Sequence, residues 1–136
     1  MKIIFDFDGT IHKSEEIYEQ AFYDTLKKYK IKKPNLDPKS YLGYPPRKIW
    51  DDFLDDSYDK EKLIESTGDL MMENMKDFGS LYEETEKVLN FLKEKHELII
   101  LSSCTKKYIE NARKIYDLDL YFSKYLVGED YNYKSK

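Results

Sequence analysis

Several features are scarce in this chain, and each scarcity removes a class of answer. A single cysteine, Cys104, excludes an internal disulfide and fits a reducing compartment. Five glycines and four prolines leave no low-complexity tract, and no internal repeat is present. No apolar run approaches the roughly 20 residues that span a bilayer. The start of the chain carries acids where a signal peptide needs a long apolar segment. The formal net charge of -4 and pI near 5.3 offer no electrostatic footprint for nucleic acid. The 23 basic residues are scattered, so a polybasic membrane patch is also unsupported. These absences together predict a cytoplasmic protein.

At 136 residues the chain has length for one compact core and a small second lobe. Its 13 tyrosines stand out in so short a sequence and are read as boundary residues, rings packed and hydroxyls wet. The stretch around which the rest is organised comes first. Ile3-Ile4-Phe5-Asp6-Phe7 is apolar, β-branched and aromatic, which reads as a strand buried on both faces. Alternation along a strand sets Asp6 and Asp8 on one side and Phe7 on the other. Carboxylates at the carboxyl end of a buried strand lie where open α/β sheets bind ligands. Two such neighbours resist joint ionisation unless a cation joins them or one keeps its proton. Both states serve phosphoryl transfer, as a nucleophile and as an acid. Asp8-Gly9 after alternating hydrophobics is also a hairpin signal, but Ile11 to Glu16 is too short and charged to supply a second strand.

The remaining pattern is helical and then alternates. Ser14 to Tyr29 reads as a helix that Ser14 caps, with Ile17, Ala21 and Thr25 or Leu26 on its apolar face. Lys32 to Pro38 is a loop, and Gly43-Tyr44-Pro45-Pro46 is a stiff turn. A short helix from Arg47 to Leu54 follows, then a longer one from Lys60 to Phe78. Glu83 to Lys95 is predicted helical with Val88, Leu89 and Leu92 inward. Glu97 to Leu101 is a second buried strand ending in Ser102-Ser103-Cys104-Thr105. Another helix, capped by Ser103 or Thr105, runs to about Tyr116, and Lys124 to Val127 is a third strand. Strands alternating with helices imply a parallel sheet with crossover connections. Cys104 has no histidine close in sequence to act as its base and is read as structural.

Ile3 to Thr10 resembles the first motif of the haloacid dehalogenase-like hydrolases, a hydrophobic strand followed by Asp-x-Asp-Gly-Thr, and the resemblance extends over nearly the whole chain. It implies an α/β fold, a Rossmann-like parallel sheet core with helices on both faces and an inserted helical cap domain. The core is expected at residues 1–12 and 80–136 and the cap at 13–79. The branch implied is that of phosphoglycolate phosphatases: magnesium-dependent hydrolysis of a small phosphorylated metabolite through an aspartyl-phosphate. Asp6 is then the nucleophile and Asp8 the acid/base, and both contribute to the magnesium site. Gly9, Thr10, Ser102 and Ser103 are expected to hold the phosphoryl group. Lys134 or Lys136 supplies the third-motif lysine, and Arg47 in the cap contacts the leaving group. The fourth-motif acids have no counterpart within the sequence, so the chain is expected to be a fragment. The alternative is a phosphate-binding module with weakened metal binding and little or no turnover.

Overall fold

The computed structural model describes residues 1–134. Three short strands, β1 (Lys2–Phe5), β2 (Glu97–Leu101) and β3 (Lys124–Leu126), form one sheet in the order β1-β2-β3. Both pairings are parallel, with Phe5 opposite Ile100 and Leu101 opposite Leu126. Parallel neighbours need long crossovers. Here these are the helical stretch between β1 and β2 and, between β2 and β3, a helix named α5 (Lys106–Tyr116). Helices cover both faces of the sheet, the Rossmann-like arrangement expected.

β2 follows the sequence reading closely: Leu98, Ile99 and Ile100 are all buried. β1 departs from it. Ile4 is 58% exposed, because β1 is the edge of the sheet among the described residues and is left open at this residue. The apolar run correctly marks a strand, but the burial on both faces that it implied does not reach Ile4.

Between β1 and β2 lie α1 (Glu15–Lys28), α2 (Lys48–Phe53), α3 (Lys60–Phe78) and α4 (Thr85–Lys93), with a 3-10 turn at Pro38–Tyr41. The chain leaves and re-enters the sheet layer along adjacent paths. His12 and Leu81 form an antiparallel bridge, flanked by bonds from the Lys13 amide to the Ser80 carbonyl and from the Tyr82 amide to the Ile11 carbonyl.

Buried apolar side chains divide into two clusters. One, beneath the sheet, gathers Phe7, Ile17, Met75, Leu98, Ile100 and Ile109 among others. The second lies within the helical stretch: Phe22, Leu26, Ile49, Trp50, Leu54 and Leu63. Helices α1 and α3 contribute to both, and their contact is stitched where the buried Thr67 hydroxyl lies 3.0 Å from Thr25 Oγ1. One predicted inward residue points out instead. Val88 is exposed, while its neighbour Leu89 fills the core, so a one-step error in helical phase moved it.

Two glycines of the same helical region carry opposite constraints. A Cβ at Gly68, inside α3, meets nothing within 4 Å. A Cβ at Gly79 would collide with the Tyr116 hydroxyl and lie 2.5 Å from the Met75 carbonyl oxygen. Gly68→Ala is therefore expected to raise stability by about 0.5–1 kcal/mol, the helical cost of glycine relative to alanine. Gly79→Ala is expected to lower it by about 1–3 kcal/mol through overpacking. Urea unfolding of the two variants measures both signs, and equal shifts would contradict the packing described.

Candidate active site

Past Phe5 the chain tightens into a turn. The Phe7 carbonyl accepts from the amides of Ile11 and His12 at 3.0 Å each and of Thr10 at 3.3 Å. The Gly9 amide donates to the His12 carbonyl at 2.9 Å. This winding requires a positive φ, which Gly9 supplies at +76° and a side chain would resist. Phe7 is completely buried, and its ring stacks on that of His12 with centroids 5.1 Å apart. Asp6 and Asp8 fall on the half-buried side. The Asp6 Oδ1 accepts from the Phe7 amide at 2.9 Å.

Asp8 is held by two hydroxyls on one oxygen. Ser14 Oγ donates to Oδ1 at 2.5 Å, and the Tyr108 hydroxyl donates to the same atom at 3.1 Å. Ser14 stands at the N-cap position of α1 but makes no side-chain cap bond, because its hydroxyl is engaged by Asp8. The cap reading of Ser14 is thus corrected. Behind it, His12 Nδ1 lies 2.6 Å from Ser14 Oγ, and His12 Nε2 lies 2.8 Å from the Tyr116 hydroxyl. A hydroxyl has one proton. Since Ser14 gives its proton to Asp8, it must accept from His12, so His12 carries its proton on Nδ1. Nε2 is then an acceptor and Tyr116 the donor. The result is a directed series of donors from Tyr116 through His12 and Ser14 to Asp8.

Burial lowers the His12 pKa from 6.5 to about 4, so the ring is neutral across the neutral range. Burial, with Asp8 adjacent, holds the Tyr108 phenol and the Cys104 thiol well above their ordinary values. Tyr108 therefore stays a donor. Cys104 stays a thiol, which fits the structural reading and not a nucleophilic one.

The second polar cluster lies at the end of the adjacent strand. The Ser102 amide continues the β2–β3 pairing by donating to the Leu126 carbonyl at 2.9 Å. Ser102 Oγ accepts from the Cys104 amide at 3.3 Å, a bond that does not use its own proton. Ser103 Oγ donates to the Gly43 carbonyl at 2.9 Å, joining this strand end to the turn of the helical stretch. Thr105, not Ser103, caps α5, accepting from the Tyr108 amide at 3.3 Å. The Gly9 and Thr10 amides are engaged within their own turn, and both residues are exposed.

Lys134 lines a cavity with Ser103, Gly43 and Tyr131. Lys136, the other lysine considered, lies outside the described residues. Arg47 is half-exposed and engaged outward: its guanidinium pairs with Glu61 and, at 3.3 Å, with Asp51. It does not line the cavity beside Asp8. Residues that sequence reasoning missed are Ser14, His12, Tyr108 and Tyr116. Only Ser14 had a sequence signal, and that signal read as a cap.

Among the described residues no group of three or more His, Cys, Asp or Glu side chains is arranged to hold a metal. Asp6 and Asp8 offer hard oxygen donors, and magnesium is commonly bound through one or two carboxylates with water and substrate phosphate. The donor chemistry thus fits magnesium as a partial set.

The profile of the haloacid dehalogenase-like hydrolases matches residues 3–136. Among solved structures, a putative phosphoglycolate phosphatase from Lactobacillus plantarum aligns with a TM-score of 0.80 at 16% identity, covering 93% of this chain and 61% of that one. A predicted phosphoglycolate phosphatase from Haemophilus somnus aligns at 0.78 and 19% identity, covering 94% and 62%. CbbY from Rhodobacter sphaeroides, in complex with xylulose-(1,5)bisphosphate, aligns at 0.80 and 15% identity, covering 94% and 63%. The chain spans 60% to 63% of the length of the solved structures it matches. No curated protein matches it.

The donor series makes two measurable statements. Nitrogen-15 NMR of the imidazole is expected to find His12 protonated on Nδ1 and bare on Nε2, and the reverse tautomer would contradict the assignment. The sign of the acid response also follows. Between pH 6.5 and 4 the unfolded chain binds more protons at His12 than the folded one. Stability is therefore complete above pH 6.5 and declines as pH falls toward 4. Urea midpoints across that range are expected to fall more steeply for the wild type than for His12→Asn.

Proposed function

Because the chain belongs to the haloacid dehalogenase-like hydrolases, we propose that it carries the catalytic end of a cytoplasmic phosphatase that hydrolyses a small phosphate monoester through an aspartyl-phosphate. The observation that carries this reading is the meeting of two polar strand ends: Asp6 and Asp8 follow β1, and Ser102 and Ser103 follow its parallel neighbour β2. The names of the similar structures support a small phosphorylated metabolite as substrate. Residues 13–79 act in this reading as a helical cap over the core formed by 1–12 and 80–136.

An Asp6 carboxylate oxygen attacks phosphorus, and the bond from phosphorus to the ester oxygen breaks. Asp8 gives its proton to the departing alkoxide. Water then attacks the aspartyl-phosphate, Asp8 takes the water's proton, and the bond to Asp6 breaks to release phosphate. Ser14 and Tyr108 act as positioning residues. By directing both hydroxyls at Asp8 Oδ1, they orient the carboxyl group for that proton transfer. The Ser102 hydroxyl and the Ser103 amide hold phosphoryl oxygens, and Lys134 supplies a point cation beside Ser103. Gly9 and Thr10 shape the turn that presents Asp8. Magnesium, held by Asp6 and Asp8, would offset negative charge on the phosphoryl oxygens.

A second reading is favoured by one observation, the lack of a third acidic partner among the described residues. In that reading the chain binds phosphate without turning it over. The two are separated by assaying a generic aryl phosphate with magnesium. The phosphatase reading expects Asp6→Asn to abolish turnover and Asp8→Asn to slow it by about 10²–10⁴-fold. A wild-type rate no higher than that of Asp6→Asn gives the answer to the binding module. Calorimetry with magnesium alone is expected to show weak binding, and tight stoichiometric uptake would require a further ligand.

A further inference from the structure

Beside Asp8 the site opens into a narrow cavity of about 80 Å³, continuous with solvent at its mouth. Its apolar wall is built by Tyr18, Tyr41, Tyr44, Trp50, Ile64 and Met71. Trp50 is 1% exposed and Tyr44 is 56% exposed, so the wall runs from the buried interior to the surface. The aromatic groups are held in place. Tyr41 donates to Asp52 at 2.8 Å, Asp52 is in turn gripped by Lys48 at 2.6 Å, and the Tyr41 and Tyr44 rings lie 6.4 Å apart.

The distribution of charge is one-sided. Among the described residues Asp8 is the one acidic group lining this cavity, and no lysine, arginine or histidine lines it. Cations on the surrounding helices are engaged elsewhere: Arg47 with Asp51 and Glu61, Lys60 with Asp51, and Lys107 with Asp69. Lys134 lines the adjoining cavity on the Ser103 side.

The structure assigns this cavity to an apolar, aromatic leaving group, so that aryl phosphate monoesters are preferred over esters whose leaving group carries a second anion. The assignment rests on the phosphatase reading for its chemistry and on the cavity alone for its selectivity. A carboxylate entering here would shed water, find no cation and face Asp8, which is costly. An aromatic ring entering here exchanges water for ring and thioether contacts.

Two phosphonates, which resist hydrolysis, test the assignment on the intact 136-residue chain. Naphthylmethylphosphonate supplies the ring and carboxyethylphosphonate the second anion. Calorimetry measures affinity, and the fluorescence of Trp50, the single tryptophan, locates the ligand. The aryl compound is expected to bind at least about tenfold tighter and to change Trp50 emission. Gly68→Lys places a cation on this cavity's wall, at a helical position where a Cβ meets nothing within 4 Å. It is expected to narrow or invert the preference while circular dichroism stays unchanged. Equal affinities, tighter binding of the carboxylated compound, no binding of the aryl compound, or an unaltered preference in Gly68→Lys would each overturn the assignment. Because both ligands are inert, a chain that shows the preference yet hydrolyses nothing retains the cavity assignment and loses the phosphatase reading alone.

Discussion

A carboxylate withdrawn from water must be met by donors, or its burial costs more than the fold can offset. The Asp8 side chain keeps 12% of its exposure, and the two hydroxyls on its Oδ1 answer that demand. They come from parts of the chain far apart in sequence. Ser14 stands where the chain enters α1, and Tyr108 lies in the first turn of α5. Satisfying one carboxylate thus fixes where two helices begin relative to the end of β1. Hydrogen bonds to charged groups contribute about 1.5–3 kcal/mol each, a large share of the stability of a small domain.

The same demand explains a local concession. Drawing the Ser14 hydroxyl to Asp8 leaves α1 without a side-chain cap, a loss of about 1 kcal/mol at such positions. Glu15 and Glu16 in the first turn return part of it by complementing the positive helix end. His12 is buried for a related reason. Its Nδ1 proton satisfies the oxygen that Ser14 turns away from the helix, and its other nitrogen is met by Tyr116. Tyr116 packs where Gly79 leaves no room for a Cβ, so the close approach at the end of α3 supports the far end of the donor series.

Local pattern sufficed for much of this. The parallel strands, the span of α3 and the approximate span of each other helix were legible from hydrophobic periodicity and breaks. Ser102 and Ser103 were legible as the polar end of a strand. Several features were not, because each depends on a partner distant in the chain. Ile4 looks like core in a run of apolar residues, yet on the edge strand of the described sheet it is left exposed. Arg47 looks poised toward a ligand by its place after Gly43 and two prolines, yet Glu61, fourteen residues on, draws it outward. Tyr108 and Tyr116 look like two of many boundary tyrosines. Only the crossover of α5 brings their hydroxyls to Asp8 and His12, a juxtaposition that no local pattern encodes.

What results is a sorting of charge by place. Around the strand ends, groups that might have added charge are kept neutral: His12 by burial, Tyr108 and Cys104 by burial beside Asp8. On the helical stretch, cations are drawn into surface pairs with Asp51, Asp52 and Glu61. The aromatic wall between these regions is left with neither sign beyond Asp8 itself. Weakly screened charge acts strongly in such surroundings, and Lys134 lines the adjoining cavity beyond Ser103 instead of this one.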